Sequence, residues 1–331
     1  HYCLVGGDSR LHEWLDAELP RMADAPEGVR LAIAAPRGEA KSTFVSLFFV
    51  LWAVLTGRKH YILIIADALE QAASLLGAVK DELEFNEALK RDFPGAGKGH
   101  VWNVGTVVTP GNVKIQALGA GKRMRGLRHG PHRPDLIVLD DLENDGNVDK
   151  PEQRDKLQSW LQKTVLNLGA ADGSMDVVYV GTLLHYDSRA GPHAPQALWK
   201  ARTFRSILRW PDRMDLWDEW ESLLSSRGEA EARRFYRQHR VKMEAGAEVS
   251  WPASRPLYRL MCSVPRIGRL SIPSSRTIPC LQTRRRSTGA SPFGWTGAGL
   301  AAVRSGGPVA RQTARGVTLP RSSSAASSAG A

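Results

Sequence analysis

Acidic residues are missing from the last quarter of this sequence, although basic residues continue to its end. No Asp or Glu follows Glu248, whereas the stretch from Arg255 to Arg321 contains twelve arginines. The net charge of the whole chain is +11, so the first 248 residues are close to neutral. The high isoelectric point therefore does not by itself indicate a nucleic-acid-binding domain.

Cysteine and long apolar runs are also scarce. The three cysteines, Cys3, Cys262 and Cys280, are too few and too widely spaced for a disulfide framework or a cysteine zinc site, which favours a reducing compartment. The strongest apolar run, residues 44–55, is much shorter than the roughly 20 residues that a membrane-spanning helix needs. We therefore expect a buried helix there and no membrane association.

Strand and helix patterns alternate along the first 190 residues. Continuous apolar runs predict strands at 29–35, 61–66, 114–118, 135–140 and 176–181, and helical spacing of apolar residues predicts helices at 9–19, 41–56, 68–90 and 151–168. Such alternation is typical of an α/β fold with a mostly parallel sheet and helices on both faces.

The composition changes twice after this region, which predicts three domains: a core at 1–190, a small subdomain at 191–255 and a tail at 256–331. The middle segment is rich in Trp and charge, with helical spacing around Glu229 to Val241, and its tryptophans are expected to pack rather than to stack on bases. The tail is rich in Ser, Arg, Ala and Gly, which predicts disorder. It is either a natural basic tail or the product of a reading-frame shift near residue 265.

A strand, a loop of small residues and a Lys-Ser-Thr sequence occur together at residues 31–43. This order places backbone N–H groups and a lysine ammonium at the start of a helix, as in sites that bind the phosphates of ATP. Lys41 is expected to contact the β- and γ-phosphates and Ser42 to hold Mg²⁺. The strict motif has glycine where this chain has Ala35 and Ala40. Taken alone, the segment is equally well interpreted as an ordinary strand-to-helix turn.

Paired carboxylates follow a second apolar strand about a hundred residues later. Asp140 and Asp141 end the run that starts at Leu136. Ligands bind at the carboxyl ends of parallel strands, so these acids are expected to face the phosphate loop. The alternative is that the two acids only cap a turn, but the presence of both motifs in order favours a nucleotide site with Asp140 on the metal.

A basic, glycine-rich loop precedes this strand and contains no acid. Its basic residues are Lys122, Arg123, Arg125, Arg128 and Arg133. Three interpretations stay open: a solvated face, a contact to DNA phosphates, or the source of an arginine finger that completes a neighbouring subunit's site. Arg125 and Arg128 are the candidates for the finger.

From residue 9 to about 262, the chain resembles the large terminase subunit of tailed bacteriophages. The resemblance is carried by the segments 35–43 (Ala-Pro-Arg-Gly-Glu-Ala-Lys-Ser-Thr), 133–144, 179–182 (Tyr-Val-Gly-Thr) and 249–252 (Val-Ser-Trp-Pro). It implies a RecA-like ATPase core with an additional strand between the two motif strands. It also implies ATP and Mg²⁺ as ligands, and a motor that drives double-stranded DNA into a capsid.

The resemblance also implies roles for individual residues. The loop residues expected at the nucleotide are Arg37, Gly38, Glu39, Ala40, Lys41, Ser42 and Thr43, with Arg37 as a phosphate contact. The family has a catalytic glutamate where this chain has Asp141, so either Asp141 or Glu143 is expected to orient the attacking water. Gly181 and Thr182 match the family's coupling motif, in which a hydroxyl senses the γ-phosphate.

The implied partners are double-stranded DNA, a small terminase subunit and a portal protein, with a ring oligomer formed on the portal, in the cytoplasm of an infected or lysogenic bacterial host. The family's nuclease domain needs clustered carboxylates, and none follow Glu248, so we expect no DNA cleavage. Two alternatives remain: a helicase-like ATPase on the same core, and an inactive prophage remnant that binds nucleotide weakly.

Overall fold

The computed structural model describes residues 7–122, 124–143, 150–182 and 199–263. Its main feature is a sheet of eight strands in the order β3-β4-β5-β2-β6-β7-β1-β8. The strands are β1 (Arg30–Ala34), β2 (Tyr61–Ala66), β3 (Val101–Trp102), β4 (Thr106–Val108), β5 (Lys114–Gly119), β6 (Leu136–Asp140), β7 (Asp176–Gly181) and β8 (Lys200–Thr203). In the part of the sheet ordered β5-β2-β6-β7-β1-β8, all neighbouring strands are parallel, whereas β4 is antiparallel to both of its neighbours, β3 and β5.

Helices cover both faces of this sheet, as predicted. They are α1 (Arg10–Ala23), a π-helical segment (Thr43–Phe49) continuing into α2 (Val50–Leu55), α3 (Leu69–Phe85), α4 (Glu87–Asp92) and α5 (Pro151–Lys163). Ile62 and Ile64 of β2 pack in one cluster with residues of α1 to α4, and Leu63 and Ile65 pack in another with Leu161 of α5. A strand buried on both sides explains why its sequence is a continuous apolar run rather than an alternating one.

The additional strand that the resemblance implies is β7. It lies between β1, which leads into the phosphate loop, and β6, which ends in the paired acids. The register pairs Ala34 with Gly181 and Asp140 with Val180. All three strands therefore end at the same edge of the sheet, and the α/β fold class with a mostly parallel sheet and helices on both faces is confirmed.

A small subdomain follows β8. It contains a two-stranded sheet and three helices: β9 (Ile207–Arg209), α6 (Met214–Ser226), α7 (Glu229–Glu244), β10 (Glu248–Val249) and α8 (Leu257–Ser263). Trp217 and Trp220 are buried in its core with Leu257 and Met261 of α8. The expectation that the tryptophans pack is confirmed for these two, which are at most 2% exposed.

The structure differs from the predicted bounds at several points. The helix expected at 68–90 breaks at Asn86, whose backbone is extended and whose side chain caps α4 by accepting from the N–H groups of Ala88 and Leu89. The helix expected at 151–168 ends at Lys163, and a short 3₁₀ turn follows. Strand β8, which pairs with β1, lies within the segment 191–255, and α8 lies within the segment 256–331; the domain bounds themselves stay a prediction.

Part of the predicted tail, from residue 264 onward, lies outside the described residues. Within the described ranges, no helix combines the length and the apolar character that crossing a bilayer requires.

Candidate functional site: a phosphate loop facing paired carboxylates

The phosphate loop joins β1 to the helical segment at the carboxyl edge of the sheet. Gly38 and Ala40 have positive φ angles of 80° and 54°. In the left-handed region a residue with a Cβ is strained by about 1–2 kcal/mol. Ala40 stands where the strict motif has its second glycine, and it adopts a conformation that glycine takes up without strain.

Replacement of Ala40 by glycine is therefore expected to be favourable. Ala40→Gly should raise the free energy of unfolding by about 0.5–1 kcal/mol, because relief of the strained φ outweighs the added freedom of the unfolded chain. Urea unfolding without nucleotide measures this. The control is Ala35→Gly at the motif's other glycine position, where Ala35 is 3% exposed in the core and its loss should destabilise. Equal destabilisation by both changes would contradict a strained Ala40.

Lys41 lies under this loop and is 6% exposed. Its Nζ atom donates to the Thr182 hydroxyl at 3.1 Å and lies 3.4 Å from the carbonyl of Pro36. Burial lowers the pKa of Lys41, whereas the negative charges of Asp141 and Asp140 oppose that change. The structure thus brings the lysine of the first motif to the end of β7.

The Asp140 carboxylate accepts hydrogen bonds from two serines one helical turn apart. Ser42 Oγ donates to Oδ1 at 2.8 Å, and Ser46 donates to Oδ2. Asp140 is 1% exposed. Burial raises its pKa from 3.8 to about 6, with a further contribution from Asp141, against the effect of both serines and Lys41.

Ser42 and Asp140 are a fitting pair for Mg²⁺. A hydroxyl and a carboxylate are the hard oxygen ligands that this ion prefers. The two oxygens already lie 2.8 Å apart. No role was predicted for Ser46, although its position four residues after Ser42 in an apolar helix places it on the same face.

Asp141 is linked to Thr182. The Thr182 N–H donates to Asp141 Oδ1 at 3.0 Å, and its hydroxyl lies 3.5 Å from the same oxygen. Asp141 has a φ of 43°, a strained conformation for a non-glycine residue and one that clusters at functional sites. Lys41, Thr182 and Asp141 therefore form one continuous polar chain.

Glu143 lies close enough to Tyr179 to affect it. Burial first, and then the charges of Glu143, Asp141 and Asp140, raise the pKa of the Tyr179 hydroxyl well above its ordinary value. Asp141, the other candidate for orienting water, is connected to Lys41 through Thr182.

The remaining loop residues take different positions. Arg37 and Gly38 are exposed, Ser42 and Thr43 are half-buried, and Glu39 is 1% exposed. The Glu39 carboxylate accepts from Ser206, and the Glu39 carbonyl accepts a hydrogen bond from His12. These two partners were not identified from the sequence.

Both candidate finger residues, Arg125 and Arg128, are exposed. Arg128 precedes His129, whose ring hydrogen-bonds Asn112 in the turn before β5, at the amino edge of the parallel strands. Arg123 lies outside the described residues. In its own chain, Arg128 is therefore near the opposite edge of the sheet from Lys41.

Comparisons with known proteins give limited matches. No protein-family model matches the chain, and no curated protein matches it either. Among solved structures, it is similar to the large terminase ATPase domain of Thermus phage P74-26, with a TM-score of 0.36, 14% identity, and coverage of 66% of this chain and 90% of that one. An arginine-to-alanine mutant of the same domain gives a TM-score of 0.33 at 14% identity, covering 67% of this chain and 86% of that one.

Proposed function

We propose that this chain is a Mg²⁺-dependent ATPase and the motor subunit of a machine that packages viral double-stranded DNA. The observation that carries the ATPase is the polar network at the carboxyl edge of β1, β6 and β7. It joins the ammonium of Lys41 to Thr182 and Asp141, and the hydroxyl of Ser42 to Asp140. An ordinary strand-to-helix turn has no need of a buried lysine and two buried or half-buried acids.

Each part of the network has a task in phosphoryl transfer, which depends mostly on positioning and on neutralising charge. The N–H groups of the loop and the Lys41 ammonium bind the β- and γ-phosphates. Asp141 orients the attacking water. Thr182 links Asp141 to Lys41, so that binding of the γ-phosphate to Lys41 changes the hydrogen bonds of Thr182 at the end of β7. Mg²⁺ held by Ser42 and Asp140 would supply further neutralisation of the phosphate oxygens.

The packaging role is supported by the sequence resemblance rather than by the site. The segments 35–43, 133–144, 179–182 and 249–252 carry it. We propose double-stranded DNA, a small terminase subunit and a portal protein as partners, with a ring on the portal in which Arg125 or Arg128 completes a neighbour's site. The absence of nuclease activity stays a prediction from the lack of acids after Glu248.

The test is steady-state ATP hydrolysis by the full chain, with Mg²⁺ or EDTA and with or without double-stranded DNA. We expect turnover that requires Mg²⁺ and rises in the presence of double-stranded DNA. Stimulation by single-stranded DNA alone would favour the helicase-like alternative. No turnover and no nucleotide binding under any of these conditions would contradict the proposal and identify an inactive remnant.

A further inference from the structure

The inner side of the phosphate loop is held by a buried carboxylate. Glu39 is 1% exposed. Its Oε1 atom accepts from Ser206 Oγ at 2.7 Å and lies 3.9 Å from Arg255 Nη1. Its Oε2 atom is buried and has no hydrogen-bond partner among the described residues. This carboxylate is therefore turned into the protein and depends on two side chains from later in the chain.

Arg255 contacts three consecutive residues of the loop. Besides its approach to Glu39, its Nη1 atom donates to the carbonyl of Arg37. The same guanidinium group packs closely beside Gly38, because a Cβ built at Gly38 would be only 3.1 Å from Nη1. The Arg255 side chain is 16% exposed, so it is largely enclosed.

Both partners of Glu39 belong to segments attached to the small subdomain. Ser206 immediately precedes β9, and its carbonyl accepts from the N–H of Ser250, which follows β10. The N–H of Arg255 donates to the carbonyl of Trp251 at 2.8 Å in the turn before α8. A displacement of β9, β10 or this turn would therefore move Ser206 or Arg255 relative to the loop.

A third contact comes from α1 and is tied to the same turn. His12 is fully buried, and its Nδ1 accepts from the Ser9 N–H, so its Nε2–H donates to the Glu39 carbonyl at 2.8 Å. The rings of His12 and Trp251 form an edge-to-face contact, with their centroids 4.8 Å apart. The main chain of Glu39 is thus held by His12, which contacts Trp251, and its side chain is held by Ser206, which is hydrogen-bonded to Ser250, with Arg255 nearby.

The energy of the Glu39 carboxylate depends more strongly on the position of Arg255 than the energy of an apolar contact would. A buried carboxylate is costly unless it is paired and hydrogen-bonded, and here one oxygen has no partner. Small movements of Arg255 change the energy of Glu39 steeply, because Coulomb interactions are strong where water is excluded. A leucine at position 39 would fill the same space with little dependence on what the small subdomain does.

We propose that Glu39 and Arg255 are positioning residues through which the small subdomain fixes the conformation of the phosphate loop. The N–H groups of residues 37–41 are oriented by this contact, so the position of the subdomain sets the affinity for nucleotide phosphates. This consequence for ATP rests on the proposed ATPase function, whereas the effect on the loop itself does not.

The first experiment measures ATP affinity by titration calorimetry, with Mg²⁺, for the full chain and the variants Arg255→Met, Glu39→Gln and their combination. We expect each single change to weaken ATP binding about tenfold, within the usual range of coupling between sites. The double variant should be no weaker than the singles, because either change already breaks the contact. Arg255→Lys, which keeps the charge, should bind better than Arg255→Met.

The matched control is Arg259→Met. Arg259 is an exposed arginine of α8 whose Nη1 lies 3.4 Å from the Ser254 carbonyl, on the same segment but away from the loop. It should leave ATP affinity within about twofold of the unmodified chain, as is usual for surface changes. Effects of the two single changes that multiply in the double variant, or single changes as small as this control, would overturn the proposal.

The second experiment measures hydrogen exchange at the amides of residues 37–41 in the full chain without nucleotide. Arg255→Met should raise exchange there about tenfold while Arg259→Met does not, because local opening is controlled by local contacts. If the chain binds no ATP but this difference is found, the ATPase proposal fails and the positioning role stands. If ATP is bound and exchange at the loop is unchanged, the positioning role is wrong and the ATPase proposal stands.

Discussion

Lys41→Ala is expected to lower the rate of ATP hydrolysis by about 100-fold or more, the loss typical when one preorganised electrostatic donor is removed. The Lys41 ammonium is buried and already directed at the Thr182 hydroxyl 3.1 Å away. The nearest competing cation, Arg37, is close enough to lower the pKa of Lys41 but is exposed on the loop, so we expect it not to replace a buried ammonium directed at Thr182. The measurement is steady-state phosphate release at saturating ATP.

Two further variants make this result interpretable. Lys156→Ala removes an exposed lysine from α5, far along the chain from the loop, and should leave turnover unchanged. Lys41→Arg keeps the charge, but the wider guanidinium has to fit between the Pro36 carbonyl and Thr182, so we expect little recovery. Turnover of Lys41→Ala within threefold of the unmodified chain would show that this lysine does not act on the phosphates.

The strands at the centre of the sheet are predictable from the sequence. Tyr61–Ala66 and Asp176–Gly181 begin and end where the apolar runs do. These strands are buried on both faces, which leaves a strong and continuous signal. The edge strand β8 has no such signal, because all four of its residues are exposed and two of them are basic. Its position depends on pairing with β1, a long-range contact that local pattern does not record.

The residues of the candidate site also fall into two groups, those that the sequence predicts and those that only the structure reveals. Lys41 and Ser42 follow the end of β1, and Asp140 and Asp141 lie at the end of β6, so the common edge of a parallel sheet brings these positions together. Arg255, by contrast, reaches Arg37 across more than two hundred residues. Nothing in its local sequence distinguishes it from neighbouring arginines, so this contact could be found only from the structure.

Asp140→Asn is expected to have two opposite effects: loss of ATP hydrolysis and a gain in stability. Asparagine keeps an oxygen but removes the negative charge that would hold Mg²⁺ beside Ser42, so turnover should fall about 100-fold or more, since a bound metal supplies several kcal/mol of charge stabilisation. The gain in stability follows from burial, which makes the ionised carboxylate unfavourable in the folded chain.

The sign of the stability change follows from the pKa. Burial raises the pKa of Asp140 from its ordinary 3.8 to about 6. Between pH 3.8 and about 6, the folded chain therefore keeps a proton on Asp140 that the unfolded chain loses. The stability that depends on this proton is fully present below pH 3.8 and is lost as the pH rises through 6. The asparagine variant has no such loss. Its advantage should thus grow with pH, from about 1 kcal/mol at pH 4.5 to at most about 3 kcal/mol at pH 8.

Urea unfolding in EDTA without nucleotide, at both pH values, measures this difference, because bound Mg²⁺ would stabilise the ionised form. Asp218→Asn on α6 is the control, since that carboxylate is exposed and its replacement should have little effect at either pH. A pH-independent difference would show that Asp140 is ionised throughout, with the hydrogen bonds from Ser42 and Ser46 compensating fully for burial. Lower stability of Asp140→Asn at pH 8 would mean that those two bonds contribute more to folding than the buried charge costs.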